Sequence, residues 1–239
     1  MGRKSRFKHA KWWLLIALGV ATMACVLVLW TAAGMATAGR AEELKPLLTL
    51  ERDGYFLGLY PAHTLASTKV EGERYTRAMF RGFEVLNRYI SGNNDQKKRV
   101  PMTAPVLQQV TGNSGEFIIS FVLPRELTRT ESEPKPSDQR VFLQRRPAQL
   151  VAVRPFSGYA TSEYAAEQIA ILKDLLERDG YLKSGTPAVA QFDPPWTPPF
   201  MRYNEVWWPL DSSVFEVLKP DEVATINEVL KRQEDSEQP

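Results

Sequence analysis

Residues 61–90, PAHTLASTKVEGERYTRAMFRGFEVLNRYI, return in altered form 86 positions later as residues 147–176, PAQLVAVRPFSGYATSEYAAEQIAILKDLL. Pro61-Ala62 falls on Pro147-Ala148, Ala66 on Ala152 and Gly72 on Gly158. Met79, Phe83, Leu86 and Ile90 stand at i, i+4, i+7 and i+11, which is one face of a helix. The same shift lands on Ala165, Ile169, Leu172 and Leu176, a second stripe in the same phase. Gly92 and Gly180 follow the two stripes where a helix C-terminus takes a glycine, and Ser162 with Glu163 marks the start of the second helix. The spacing therefore predicts two tandem β-α-β-β units. The other strands fall at 55–60, 100–110, 116–122, 141–146, 187–192 and 203–210, beside those at 63–70 and 149–156. Gly112-Asn113-Ser114-Gly115 reads as a hairpin turn, residues 125–140 as a polar loop, and 220–232 as a terminal helix followed by a fraying tail. Eight strands and two packed helices give an α+β sheet curled toward a barrel, with a cleft between pseudo-symmetric halves.

Outward from the repeat, the N-terminus changes character. Arg3, Lys4, Arg6, Lys8 and Lys11 form a basic flank, and Trp12 to Ala38 then carry no charged side chain. At about 1.5 Å per residue, the 19 mostly apolar positions from Trp12 to Trp30 approach the span of a bilayer's hydrocarbon core. The run is long for a cleavable signal peptide. Basic residues before it stay on the cytoplasmic side, and Trp12, Trp13 and Trp30 mark the two interfaces. The expected organisation is a cytoplasmic flank at 1–11, a transmembrane helix acting as signal-anchor at 12–38, and a polar linker at 39–50. A folded domain at 51–212 and a helix with tail at 213–239 complete it. The chain is then a single-pass protein of the inner (plasma) membrane, its domain facing the periplasm or the exterior. Ala36-Thr37-Ala38 is the competing feature, a small-x-small site whose cleavage before Gly39 would release the domain.

The net charge of +2 is concentrated in that flank; from Gly39 onward there are 25 basic and 28 acidic residues. No basic excess remains for nucleic acid, which is excluded as a partner. One cysteine, Cys25, excludes an intrachain disulfide, a multi-cysteine zinc site, an iron–sulfur cluster and covalent haem attachment. With His9 in the leader, His63 is the sole imidazole of the domain. Neither a Ser-His-Asp nor a Cys-His arrangement can be assembled there, and no glycine-rich phosphate loop is present. No catalytic residue is assigned.

Three segments carry a family resemblance: Gly82-Phe83, Leu86, Tyr89-Ile90 and Gly92-Asn93-Asn94; Met102-Thr103-Ala104-Pro105-Val106; and Asp193-Pro194-Pro195-Trp196-Thr197-Pro198-Pro199-Phe200 leading to Arg202 and Asn204-Glu205-Val206-Trp207. Together they closely resemble the SOUL haem-binding protein family, over about residues 48–210. The resemblance implies a distorted antiparallel eight-stranded barrel with two helices, similar to the drug-sensing effector domains of bacterial regulators. It also implies non-covalent binding of haem or a related tetrapyrrole. Members with a proposed axial histidine carry it just before the tyrosine matching Tyr60, where this chain has Leu59.

The candidate cofactor-binding residues are Arg81, Phe83, Arg88, Met102, Tyr203 and Glu205. Arg77, Arg81, Glu84 and Arg88 repeat the helical spacing two residues out of step with the apolar stripe, about 200° around the axis. Guanidiniums on one face can pair bidentately with haem propionates, and Arg88 matches a basic position beside the haem site in some family members. Without a ligand the same stripe is a solvated face with an Arg–Glu pair. Glu205 shares a strand face with Tyr203 and Trp207. It is read either as a carboxylate that receives a cationic ligand or as one closed off by Arg202 or another arginine. His63 is expected at an exposed rim or held by a structural bond, rather than on iron. The function that follows is a membrane-anchored, non-covalent haem or tetrapyrrole carrier or scavenger. The alternative is a small-molecule hydrolase or sensor using Tyr203 and Glu205.

Overall fold

The two copies of the repeat fold alike. A computed structural model describes residues 41–111 and 115–237, together with Thr22. In the first copy, β3 (Tyr55–Tyr60) and β4 (His63–Glu71) lead into α1 (Tyr75–Ile90). They are preceded by β1 (Glu42–Glu43) and β2 (Leu48–Arg52), and followed by β5 (Thr103–Ala104), β6 (Val106–Thr111) and β7 (Glu116–Val122). A short α2 (Arg125–Arg129) opens the inter-repeat loop. The second copy comprises β8 (Val141–Arg146), β9 (Gln149–Ser157), α3 (Ser162–Arg178), β10 (Ala188–Gln191) and β11 (Tyr203–Pro209). Two helices, α4 (Val214–Val217) and α5 (Pro220–Glu237), end the chain. Ala41–Asp193 and Pro199–Glu237 belong to one compact unit. Pro194–Pro198 form no part of it; they make a turn in which the Thr197 amide donates to the Pro194 carbonyl at 3.0 Å.

Nine strands, all antiparallel, make one sheet in the order β2-β3-β9-β11-β10-β6-β7-β4-β8, and β1 pairs in parallel with β5. The α+β class and the curl of the sheet are as expected, but the eight-stranded barrel is not. The ninth strand is β2, in the stretch read partly as a linker, and β2 and β8 remain as two unjoined edges. Pro105 divides the strand expected over 100–110, because a proline has no amide to give the ladder, and it follows a cis peptide bond. The terminal helix expected at 220–232 is present as α5, while the short α2 and α4 are additional to the helices expected. The expected transmembrane helix at 12–38 lies outside the described residues, Thr22 excepted. Among the described residues no helix is long and apolar enough to cross a membrane.

One helix of each repeat covers part of the outer sheet face. α1 lies on β4 and β7, and α3 on β9 and β11. Leu86 of α1 and Leu172 and Leu176 of α3 are completely buried, each worth roughly 1.5–3 kcal/mol in area removed from water. α3 also has a working N-cap, Thr161 accepting from the Tyr164 amide at 3.3 Å. The inner, concave face carries its own cluster, including Tyr60, Leu65, Leu107, Val151, Val153, Ala190 and Trp207.

Candidate functional site

The six candidate residues separate into two groups. Arg81 and Arg88 lie on the outer face of α1, with side chains 66% and 56% exposed. Arg81 Nε meets Glu73 at 3.0 Å, Arg77 reaches the same carboxylate at 3.7 Å, and Arg88 pairs with Glu84 at 2.5 Å. The Arg88–Glu84 pair is a solvated surface pair, weakly held and readily exchanged, whereas the Glu73 side chain, 15% exposed, gives Arg77 and Arg81 a more sheltered partner. Phe80, 62% exposed, stands among them. The sequence reading passed over it, although the wheel that groups 77, 81, 84 and 88 places position 80 in the same stripe. Phe83 turns the other way, half-buried with its ring edge-on to Phe121 at 5.2 Å. Met102 packs, half-buried, on the same core cluster.

Tyr203 and Glu205 belong to β11 and face the concave side. Strand alternation sets Tyr203, Glu205 and Trp207 on one face. The Tyr203 hydroxyl donates to Glu205 Oε1 and the Trp207 indole to Oε2, each at 2.5 Å. Both oxygens are thus engaged by neutral donors, and no ion pair to Glu205 forms among the described residues. The expected closure by Arg202 is not what the fold builds: the Arg202 guanidinium lies over the Tyr159 ring, 4.6 Å from its centre. Burial pushes the Glu205 pKa up, the two hydrogen bonds oppose the rise, and Glu43 adds to it.

This has a measurable sign. A carboxyl whose folded pKa is raised binds more protons folded than unfolded, so its contribution to stability is full below the unfolded value of about 4.3 and is lost as pH rises through the folded one. Glu205→Gln, which cannot ionise, is expected to gain in urea midpoint relative to wild type as pH increases across that window. A difference that stays constant from pH 4 to 8 would contradict the assignment.

His63 corrects the expectation of an exposed rim while meeting that of a structural bond. It is 6% exposed, and its Nδ1 lies 2.8 Å from the Pro61 carbonyl. A carbonyl can only accept, so Nδ1 carries the proton and Nε2 keeps its lone pair. Burial holds the pKa below the ordinary histidine value against the opposing Pro61 bond, and Arg146 lowers it further. The imidazole is neutral near pH 7. No group of three His, Cys, Asp or Glu side chains able to hold a metal occurs among the described residues.

A cavity of about 260 Å³ opens on the concave face, walled by Leu107, Ile118, Val151 and Trp207, with His63 and Arg146 at its polar side. Pockets for drug-sized ligands run from about 300 Å³ upward, so a tetrapyrrole does not fit inside. A flat macrocycle with two carboxylates does fit the chemistry of the α1 face, where an exposed phenyl ring stands between exchangeable arginines.

The family model described as SOUL heme-binding protein matches residues 46–209. The chain belongs to this family. Among SOUL relatives, heme-binding protein 2 of Homo sapiens is 35% identical over 119 residues, covering 48% of this chain and 57% of the human protein. Heme-binding protein 2 of Mus musculus is 32% identical over 149 residues, 59% of this chain and 70% of its own length. In structure, the SOUL chain is similar to the crystal structure of the EcmrR C-terminal domain: TM-score 0.50, 13% identity, 65% of this chain and 95% of that one. EcmrR within a DNA complex gives 0.51 and 13% identity, over 83% of this chain and 69% of that one. At that identity the likeness is one of fold. The place of the family's proposed axial histidine is Leu59, 2% exposed within the core.

Proposed function

We propose that this SOUL protein binds haem or a related tetrapyrrole non-covalently on the outer face of α1, and that it serves as a membrane-anchored carrier or scavenger. The observation that carries the reading is Phe80 exposed among Arg77, Arg81 and Arg88. The phenyl ring offers the macrocycle an apolar plane, and the guanidiniums exchange Glu73 and Glu84 for propionates. Phe83 and Met102 support the helix from beneath. The bound group supplies an iron centre whose chemistry is its own, while the chain orients it and holds its carboxylates. The exposed Arg88–Glu84 pair favours reversible loading, which suits a carrier. Residues 12–38 would anchor the domain on the periplasmic or outer side of the inner membrane.

The test starts from full-length protein recovered from the membrane fraction after carbonate extraction; protein left in the supernatant would remove the anchor from this reading. Hemin titration is expected to give a saturable Soret shift in the low-micromolar range. Replacing Arg81 and Arg88 together by alanine is expected to weaken binding by about 1–2 kcal/mol, five- to thirty-fold. His63→Ala is expected to change it less than three-fold, since the imidazole is bonded to Pro61 on the other side of the sheet. Unaltered affinity in the arginine pair, with a lost low-spin spectrum in His63→Ala, would overturn the site.

A second reading is favoured by the Tyr203–Glu205–Trp207 group, in which Glu205 and Trp207 are buried and Tyr203 is exposed; it could receive a cation as a small-molecule sensor or serve a hydrolase. Glu205→Gln, compared with wild type in a metabolite screen by thermal shift, separates it from the first.

A further inference from the structure

The cavity on the concave face holds donors that the protein leaves unspent. Arg146 ends the edge strand β8 and stands opposite His63 in the ladder. Its only side-chain hydrogen bond among the described residues is a long one, 3.4 Å, to Gln144. No described carboxylate pairs with it, although its neighbour Arg145 takes Glu131 at 2.6 Å. A half-buried guanidinium has five donors in a fork matched to a carboxylate. Gln149 and Tyr60 line the same cavity, and neither makes a side-chain hydrogen bond among the described residues. Tyr60 is 2% exposed, and burial together with Glu205, Tyr203 and Glu43 raises its pKa, so it stays protonated and its ring serves as wall.

The rest of the wall is built rather than accidental. No Asp or Glu contributes to the lining; Glu205 and Glu43 act on it only at the Tyr60 and Trp207 end, away from Arg146. The loop at Ser184–Thr186 closes one side. The Gln109 amide donates to the Thr186 carbonyl at 3.0 Å, the Ser184 amide to the Pro209 carbonyl at 2.8 Å, and the Trp208 indole to the Gly185 carbonyl at 3.3 Å. Leu107, Ile118, Val151 and Trp207 offer an apolar bed, and Tyr60 and Trp207 pack ring to ring at 4.4 Å.

We propose that this cavity is a binding site for a small organic monocarboxylate with an apolar or aromatic body. Arg146 takes the carboxylate, the Gln149 amide adds a hydrogen bond to it, and Tyr60, Leu107, Ile118, Val151 and Trp207 receive the body. The volume limits the occupant to metabolite size. The site shares no residue with the α1 face, so it stands whether or not haem binds there.

Three probes of one shape and three charges test it: benzoate, benzamide and benzamidine, titrated calorimetrically into the full chain in detergent. Benzoate is expected to bind at least ten-fold more tightly than benzamide, with benzamidine weakest. Arg146→Gln is expected to remove that preference while benzamide affinity holds, and Arg146→Lys to restore part of it. Ala188→Leu, which fills the lining opposite Trp207, is expected to abolish benzoate binding and leave the hemin titration unchanged. Equal binding of benzoate and benzamide would overturn the proposal. Preference for benzamidine would do the same and favour Glu205 as the recognising group. Unaltered benzoate binding in Arg146→Gln, or no binding of any probe, would also overturn it.

Discussion

Asn94→Ala is expected to cost about 3 kcal/mol of stability, read as a fall in urea midpoint, because it strips three hydrogen bonds from a buried turn. Asn94 is completely buried just beyond the end of α1. Its Nδ2 donates to the Tyr89 carbonyl at 3.1 Å and the Lys98 carbonyl at 2.7 Å, and its Oδ1 accepts from the Lys98 amide at 3.0 Å. Alanine leaves both Lys98 backbone groups without their Asn94 partners in a part-buried turn. The Tyr89 carbonyl retains the Gly92 amide at 3.2 Å, which keeps the cost from being larger. Aspartate is no substitute, since a carboxylate would face two carbonyls. The turn is also stitched to the inter-repeat loop: the Tyr89 hydroxyl donates to the Pro134 carbonyl at 2.8 Å, and Asp95 and Lys135 exchange two further bonds. Amide exchange in residues 134–137 should therefore rise in the variant along with the loss of stability. A change below about 1 kcal/mol would show that water replaces the side chain freely.

Gly82→Ala reverses the usual helix rule. An interior glycine normally costs a helix about 1 kcal/mol relative to alanine, so propensity alone says the substitution stabilises. Packing says otherwise. A Cβ at position 82 would lie 2.3 Å from Ile119 Cγ1 and 2.6 Å from Ile119 Cβ. Those atoms belong to a fully buried, β-branched side chain fixed to the middle of β7, so they cannot swing away. α1 must lift from the sheet instead. Overpacking of this kind typically costs about 1–3 kcal/mol and sometimes more, which exceeds the propensity gain. With an overlap this deep the cost falls at the upper end, about 3 kcal/mol against a gain of about 1, so the expected net loss is about 2 kcal/mol for alanine and larger for valine. A double-mutant cycle with Ile119→Ala should recover part of it. Additive effects, or a stabilised Gly82→Ala, would show that the helix rides higher on the sheet than its contacts imply.

Much of this architecture was written in local pattern. The 86-residue repeat survived because each copy keeps the same helical phase and the same turn glycines, and both are read within a dozen residues. The Tyr203–Glu205–Trp207 face was equally legible, since alternation along one strand needs no partner. What failed depended on pairing. β4 is buried on both faces through His63-Thr64-Leu65-Ala66-Ser67-Thr68, which erases alternation and made His63 look like a rim residue. β2 offers only Leu48 and Leu50 as signal, too little to separate a strand from a linker. The Arg146 cavity is absent from any single segment: it arises where β4, β6, β8 and β9 converge, and only the register sets His63 beside Arg146.

The two unjoined edges of the sheet carry a further consequence, for how copies of this chain behave toward one another. A strand at the edge presents unpaired amides and carbonyls that another chain can adopt. α5 lies against β2 at one edge, while β8 at the other ends in Arg145 and Arg146. Charge at that end discourages pairing of one edge with the edge of another chain. Arg146 therefore serves colloidal solubility as well as recognition, and a substitution made to silence the cavity also removes a guard against self-association.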